Sequence, residues 1–524
     1  MGKRVSPHLK MAIRSQKSVK KIKKQTKISQ NVTIAEVDDS CDMFKKKAEE
    51  VRALLGIGKH EIAISKGLEL AASVNKNPSN QQLVGLLLLD LGLLNESEPF
   101  LQEAVKFYPE NEYLRYKTSI LYKNSPNKRI DFLKRSLIHC PASFFLWVAI
   151  GNEYKVVGQL KSALAAYQKA EQLRPDDIDL IFNMSGLVSY KDQGDQKIKF
   201  LVEQLDRDIA KEKKALAAFT LGKAHMDRGL FDGAFQYYRL GNELQKDRME
   251  LRYQLTQHQL EFLCENFTDS IFNVWENVES FSPQNIFIVG MSRSGKTLIE
   301  NILAGSPKVL PARESLIFSG FARHKLNKNL VRNSRSYLDS LTSKKLLEER
   351  REYFNLSQEK KKIVTQTMPW NINFLGFLGL WSPHTPIIFV ARDPLDLGIS
   401  CYFKIYGVGN SYSYDLYTLG KQIGFYERLQ QHWIKILPNP VLVVNYESLV
   451  SSPELIIPEI FYFLGLEHDQ EFMNSIMTKS SGANLGFGQS FDVLTAIKKD
   501  FIGCARPFES YLSELRQGYL DSKK

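Results

Sequence analysis

The stretch Gly290–Thr297 reads G-M-S-R-S-G-K-T, a letter-for-letter match to the phosphate-gripping pattern G-x-x-x-x-G-K-[ST]. Successive backbone N–H groups of such a turn, and the N-terminus of the helix after it, cradle an anion. Lys296 adds a point charge and Thr297 a hydroxyl. A second set of residues suits a second phosphate. The apolar run Ile387–Val390 is followed by Ala391 and Arg392, and Ser400 comes eight residues after that arginine. A phosphoryl-transferring enzyme wants an apolar strand that ends in a magnesium-holding carboxylate. This strand delivers Arg392 first. Glu447, after the third apolar run "PVLVVNYESLV", could serve as a magnesium partner, which keeps a nucleoside triphosphatase or kinase open.

These residues need a scaffold, and the local pattern supplies it. "NIFIVG" (Asn285–Gly290) is a short apolar strand of the buried parallel kind. "SGKTLIENILAG" continues as a helix with Ile299, Ile302 and Leu303 on one face. Strand, glycine-rich turn and helix in that order are the context a phosphate loop requires.

The first half has a different rhythm. Prolines at 78, 109, 141 and 175 are spaced 31, 32 and 34 residues apart. Each spacing holds a helix–turn–helix pattern, clearest in Ala142–Pro175. There Gly158 stands before the turn as the small residue that lets paired helices approach, and Ala163, Ala166 and Tyr167 repeat on one helix face. A later unit restates the pattern around Gly229 and Ala234. A period of about 34 residues built this way is the tetratricopeptide signature. The expected organisation is a basic, disordered tail over 1–41, an all-α solenoid over 42–265 and an α/β domain with a central parallel sheet over 266–524. Solenoids of this kind present a groove for peptide segments or partner proteins; simple bracing of the second domain is the alternative.

Composition narrows the rest. The chain has 524 residues, a length that calls for more than one domain, and a formal net charge of +12. Ten Lys or Arg and no acid fall within residues 1–30, so the remainder is close to neutral and nucleic acid is not the expected partner. Five dispersed cysteines form no C-x-x-C pair, and the nine histidines show no metal-ligand spacing. Neither a disulfide framework nor a metal site is expected. No apolar run reaches the roughly 20 residues needed to cross a bilayer. A cytoplasmic protein is the expectation.

Three segments together resemble the sulfotransferases: "IFIVGMSRSGKTLIENILAGSPKVLPARESL", "IIFVARDPLDLGISCYFKIYGVGNSYSYDLYTLGKQIGFYERLQQHW" and "VLVVNYESLVSSPELIIPEIFYFLGL". The likeness is to the bacterial type in which tetratricopeptide repeats precede a phosphate-loop sulfotransferase domain, and it covers about residues 45–512. It implies a 3′-phosphoadenosine 5′-phosphosulfate donor and no metal. Arg293, Ser294, Gly295, Lys296 and Thr297 would hold the 5′-phosphosulfate; Arg392 and Ser400 would hold the 3′-phosphate. Glu314, in "PARESLIF", resembles the general base of the tyrosyl-protein branch. Lys296 would offset charge on the leaving oxygen. His324 and His384 are the substitutes if Glu314 fails.

The sequence departs from the family in three places. The loop has Ser292 and Lys296 where P-R-S-G-T-T is usual. Gln366 and Thr367 replace an Asp-Lys pair, which leaves an inactive nucleotide-binding scaffold as a further alternative. The C-terminal binding segment keeps Gly503, Arg506, Pro507, Glu509 and Tyr511 but has Cys504-Ala505 for Arg-Trp, with Lys498 and Lys499 to supply charge. The acceptor is read only as a hydroxyl: protein tyrosine, carbohydrate or small molecule. "YGVGNSYSYDL" (Tyr406–Leu416) is expected to be a mobile lid.

Overall fold

The computed structural model describes residues 37–74, 76–123, 125–191, 196–248, 255–275, 285–326, 330–357, 362–406, 409–467, 471, 474, 497 and 499–524. The basic segment 1–36 and Lys498 lie outside the described residues. The chain divides into two compact units, Met1–Pro175 and Asp176–Lys524.

The described residues of the first unit form helices joined by turns. Helices pair across tight turns: Val37–Gly56 with His60–Ser73, Pro78–Asp90 with Leu94–Phe107, and Phe144–Val156 with Leu160–Leu173. Asn111 and Ser143 cap helix starts by accepting the Leu114 and Leu146 N–H at 3.0 and 3.3 Å. Ala163, Ala166 and Tyr167 share the buried face their spacing predicts. The structure reassigns the close approach, however. Gly158 sits in the turn itself at φ +80, a left-handed conformation that glycine adopts without strain. The helices meet at Gly151, where an added Cβ would lie 2.5 Å from the Tyr167 ring. The same pairing recurs in the second unit between Gly222 and Tyr238.

The second unit begins with more helical repeat, ending in the hairpin Lys211–Asp227 and Phe231–Glu243. A five-stranded parallel sheet follows, in the order β2-β3-β1-β4-β5. Its strands are β1 (Asn285–Val289), β2 (Val309–Leu310), β3 (Ile363–Gln366), β4 (Ile387–Ala391) and β5 (Val441–Asn445). β2 and β3 are too short to announce themselves as apolar runs. Alternation along the strands sorts residues to two faces. Ile286, Ile288, Ile388 and Val390 pack on Ile299, Ile302 and Phe461. Phe287, Val289, Ile387 and Phe389 pack on Phe318, Trp381, Leu429 and Trp433. Both faces are covered, as a parallel sheet requires.

A third cluster joins the last repeat hairpin to the α/β region. Phe219, Phe235 and Tyr238 pack with Leu397, Tyr402, Phe403, Phe508 and Leu515. Phe235 stacks on Tyr511 at 4.3 Å between centroids, and Tyr238 stacks on Phe403 at 4.0 Å. Asn242 Nδ2 donates to the Tyr402 carbonyl at 2.9 Å. This hairpin therefore braces the helix Pro394–Tyr402 directly.

Candidate active site

The expected phosphate loop follows the central strand of the sheet. β1 runs into Gly290 and the turn Met291–Gly295, and the helix Lys296–Leu303 follows. A Cβ on Gly290 would collide with Ser294 Oγ, and one on Gly295 would lie 2.6 Å from the Tyr446 ring. Arg293 at φ +70 and Gly295 at φ +110 are both left-handed. Left-handed residues inside a tight turn bring neighbouring N–H groups to one side, which makes an anion-binding concavity. Ser294 is buried, and its hydroxyl has no partner among the described residues. Thr297 is exposed.

Lys296 folds back over the turn. It is buried, and its Nζ donates to the Met291 carbonyl at 2.7 Å. Burial lowers its pKa to about 8, against the opposing pull of Glu314, Cys401 and Glu300. A lysine this poorly hydrated gains from an incoming anion.

The residues expected to hold a second phosphate meet the loop. Arg392 follows the end of β4, and Nη1 donates to the Arg293 carbonyl at 2.6 Å. Arg293 Nε donates to Ser400 Oγ at 3.1 Å. Three residues separated by up to 107 positions thus converge on one point. Tyr446, just past β5, lies under the Arg392 guanidinium at 4.4 Å. Arg392 Nη2 also donates to the Phe501 carbonyl at 3.0 Å, which brings the C-terminal segment to the site. Arg506 is exposed at the start of the 3-10 helix Arg506–Tyr511 and lies beside Gly503.

Glu314 is exposed and stands on a turn anchored from three directions. Buried Glu300, on the loop's helix, accepts the Arg313 N–H at 2.9 Å and the Thr365 hydroxyl. Thr365 Oγ1 accepts the Ala312 N–H at 3.2 Å, and the Thr367 N–H donates to the Arg313 carbonyl at 3.3 Å. Arg313 is held at φ +56, a conformation unusual for a side-chain-bearing residue. The Glu314 carboxylate is near enough for its charge to act on Lys296 and Tyr412. Gln366 and Thr367 are both buried in this wall.

Other expectations change. Within Tyr406–Leu416, residues Ser411–Tyr414 are a buried 3-10 turn, packed in place of the mobile lid that glycine and serine content suggested. Ser292 Oγ and Tyr412 OH both donate to Asn410 Oδ1, at 3.1 and 2.9 Å, and tie this segment to the loop. Glu447 Oε1 accepts the Asp393 N–H at 2.9 Å, so it caps the turn after β4. His384 precedes β4, at the end of the parallel strands opposite the loop, and His324 is exposed on the helix Ile317–Lys325. Sequence reasoning passed over Glu300, Asn410 and Tyr446. Only their neighbours across the fold give them roles, and local spacing carries no signal of that.

A sulfotransferase family model matches residues 283–470, and a tetratricopeptide repeat model matches residues 146–177. An uncharacterized protein of Aquifex aeolicus (strain VF5) is 24% identical over 468 residues; the match spans 84% of this chain and 59% of that protein. Among solved structures the chain is similar to MamA from Desulfovibrio magneticus RS-1, at 16% identity and a TM-score of 0.24 over 40% of this chain and 98% of that one. It is also similar to YrrB, described as a TPR protein with an unusual peptide-binding site, at 14% identity and a TM-score of 0.22 over 36% of this chain and 89% of that one. No argument rests on likeness at those scores.

Proposed function

We propose that this chain, in which a sulfotransferase family model matches residues 283–470 and a tetratricopeptide repeat model matches residues 146–177, transfers a sulfuryl group from 3′-phosphoadenosine 5′-phosphosulfate to a hydroxyl acceptor. The observation that carries the donor is the convergence of Arg293, Arg392 and Ser400 beside the phosphate loop. One anion site is enough for a nucleoside 5′-phosphate. A second, cationic and hydroxyl-bearing, suits a nucleotide with a separate 3′-phosphate.

In this reading the 5′-phosphosulfate lies in the turn Arg293–Thr297, and Arg392, Ser400, Arg506 and Lys498 serve the 3′-phosphate. The acceptor oxygen attacks sulfur as its proton passes to Glu314. A new S–O bond forms, the bond from sulfur to the bridging oxygen breaks, and that electron pair stays on the 5′-phosphate of adenosine 3′,5′-bisphosphate. Lys296 offsets the charge that grows on this oxygen, an interaction strongest in the transition state. Sulfuryl transfer of this kind calls on no metal. The functional division is a repeat region over 42–265, which offers a groove to a peptide or protein partner, and a transferase domain over 266–524. Unpaired thiols at Cys140, Cys264, Cys401 and Cys504 fit a cytoplasmic setting. Among the described residues, no helix is long and apolar enough to cross a membrane.

The loop's Lys296-Thr297 pair also matches nucleoside triphosphatases, so one experiment must separate the readings. In a thermal-shift panel, adenosine 3′,5′-bisphosphate without magnesium should stabilise the protein by about 2.7 kcal/mol at a hundredfold excess over Kd. ATP with magnesium should do less. A larger shift with ATP and magnesium would move the assignment to the triphosphatases.

A further inference from the structure

Asp396 stands outside the roles assigned so far, yet the residue is almost fully buried, at 3% exposure. It lies on the first turn of the helix Pro394–Tyr402, four residues after Arg392. Oδ2 accepts the Gly503 N–H at 2.6 Å, and Oδ1 accepts the Ala505 N–H at 2.9 Å. The Cys504 thiol donates to the Asp396 carbonyl at 3.7 Å. Gly503 is left-handed at φ +70, so one tight turn directs two N–H groups at a single carboxylate. A buried carboxylate with such partners is a strong tether, because hydrogen bonds to a charged group are shorter and stronger than neutral ones.

The tether closes a ring of contacts. Asp396 holds residues 503–505. Phe501, in the same segment, offers its carbonyl to Arg392 Nη2. The other arm of that guanidinium grips the Arg293 carbonyl in the phosphate loop. Cys504 Sγ also lies 3.9 Å from Arg392 Nη2. The ring returns to Asp396 through the start of its own helix. Without the carboxylate, the segment 501–506 would keep its covalent neighbours but lose the two bonds that set its height over Arg392.

We propose that Asp396 is a positioning residue for the 3′-phosphate subsite: it holds the C-terminal turn against Arg392, and so fixes the guanidinium and Arg506 for the donor's 3′-phosphate. This rests on the donor reading given above. It also answers the departure of this segment from the family. Cys504 and Ala505 replace the usual Arg-Trp pair, yet their backbone N–H and thiol groups are what Asp396 and Arg392 engage.

The test is calorimetric titration of the full chain with adenosine 3′,5′-bisphosphate and with adenosine 5′-phosphate. Wild type should prefer the bisphosphate. Asp396→Asn keeps the volume but removes the negative charge and one acceptor. It should weaken bisphosphate binding about tenfold or more, the range for a lost charged hydrogen bond, and leave 5′-phosphate binding within about twofold. Gly503→Ala attacks the tether from the other side, because its Cβ would lie 2.9 Å from Arg506 Nε in a left-handed backbone. It should give the same selective loss, and it decides the matter if Asp396→Asn does not fold. Equal losses for both nucleotides, or no loss for either, would overturn the assignment and leave Asp396 a purely structural carboxylate. A wild type with no preference for the bisphosphate would remove the donor reading, and this inference with it.

Discussion

Raising the pH from 7 to 9 should weaken binding of adenosine 3′,5′-bisphosphate about tenfold, and Lys296 supplies the reason. Burial pulls its pKa to about 8 in the folded chain. A phosphate in the loop favours the charged amine, so the pKa in the complex must be higher. Affinity then follows the fraction of folded chain that already carries the proton. With a pKa near 8 that fraction is about 0.9 at pH 7 and about 0.1 at pH 9, a ratio of about ten or about 1.4 kcal/mol. The folded chain by itself should trend the other way. Its Lys296 pKa lies below the ordinary 10.5, so between about 8 and 10.5 the unfolded state binds more protons and stability rises with pH. Calorimetric titration in two buffers of different ionisation heat measures affinity and proton uptake on binding at once. At pH 9 about 0.9 proton should be taken up per nucleotide bound, by the same linkage. Lys296→Arg, whose charge does not titrate in this range, should flatten both the affinity and the proton uptake. Equal wild-type affinity at pH 7 and pH 9 would refute the reasoning. So would a tenfold loss that survives in Lys296→Arg, since another group would then be titrating.

Two further outcomes test the chemistry and the scaffold separately. Glu314→Gln should reduce turnover by about 10²–10⁴-fold, the range for loss of a general base, while bisphosphate affinity stays nearly constant. Labelled donor with an acceptor found among tyrosine peptides, phenols and sugars provides the assay, and full turnover in the variant would take Glu314 out of the mechanism. Gly151→Ala places a methyl group against the Tyr167 ring and should destabilise the Met1–Pro175 unit by about 1–3 kcal/mol without changing nucleotide affinity. An unchanged melting profile would mean the helices separate at little cost, contrary to the packing described.

Much was legible from sequence because it depends on local backbone and local burial. The turn Gly290–Thr297 needs glycine at two places and a helix start after it, and these are properties of neighbouring residues. The helix pairs of the first half follow from apolar spacing and turn glycines, which repeat. β1, β4 and β5 are apolar runs long enough to register. β2 and β3 are not, since a strand of two to four residues cannot show a period. Gly158 was assigned the helix contact because it is small and near the turn. Distance decides that role, and it belongs to Gly151.

The site divides along the same line. Sequence marked the loop, Arg392, Ser400 and Glu314 through residue type and order in the chain. Only tertiary structure decided that Arg392 and Ser400 both reach Arg293, that Glu300 anchors the turn bearing Glu314, and that Asp396 holds residues 503–505. It also decided that Ser411–Tyr414 is packed, although glycine and serine content suggested mobility, because the tyrosines there are buried against the rest of the domain. The physical reason is common to all of these. Parallel strands bring together residues a hundred positions apart, and a hydrogen bond or a burial formed across that gap leaves no mark in the spacing of either partner.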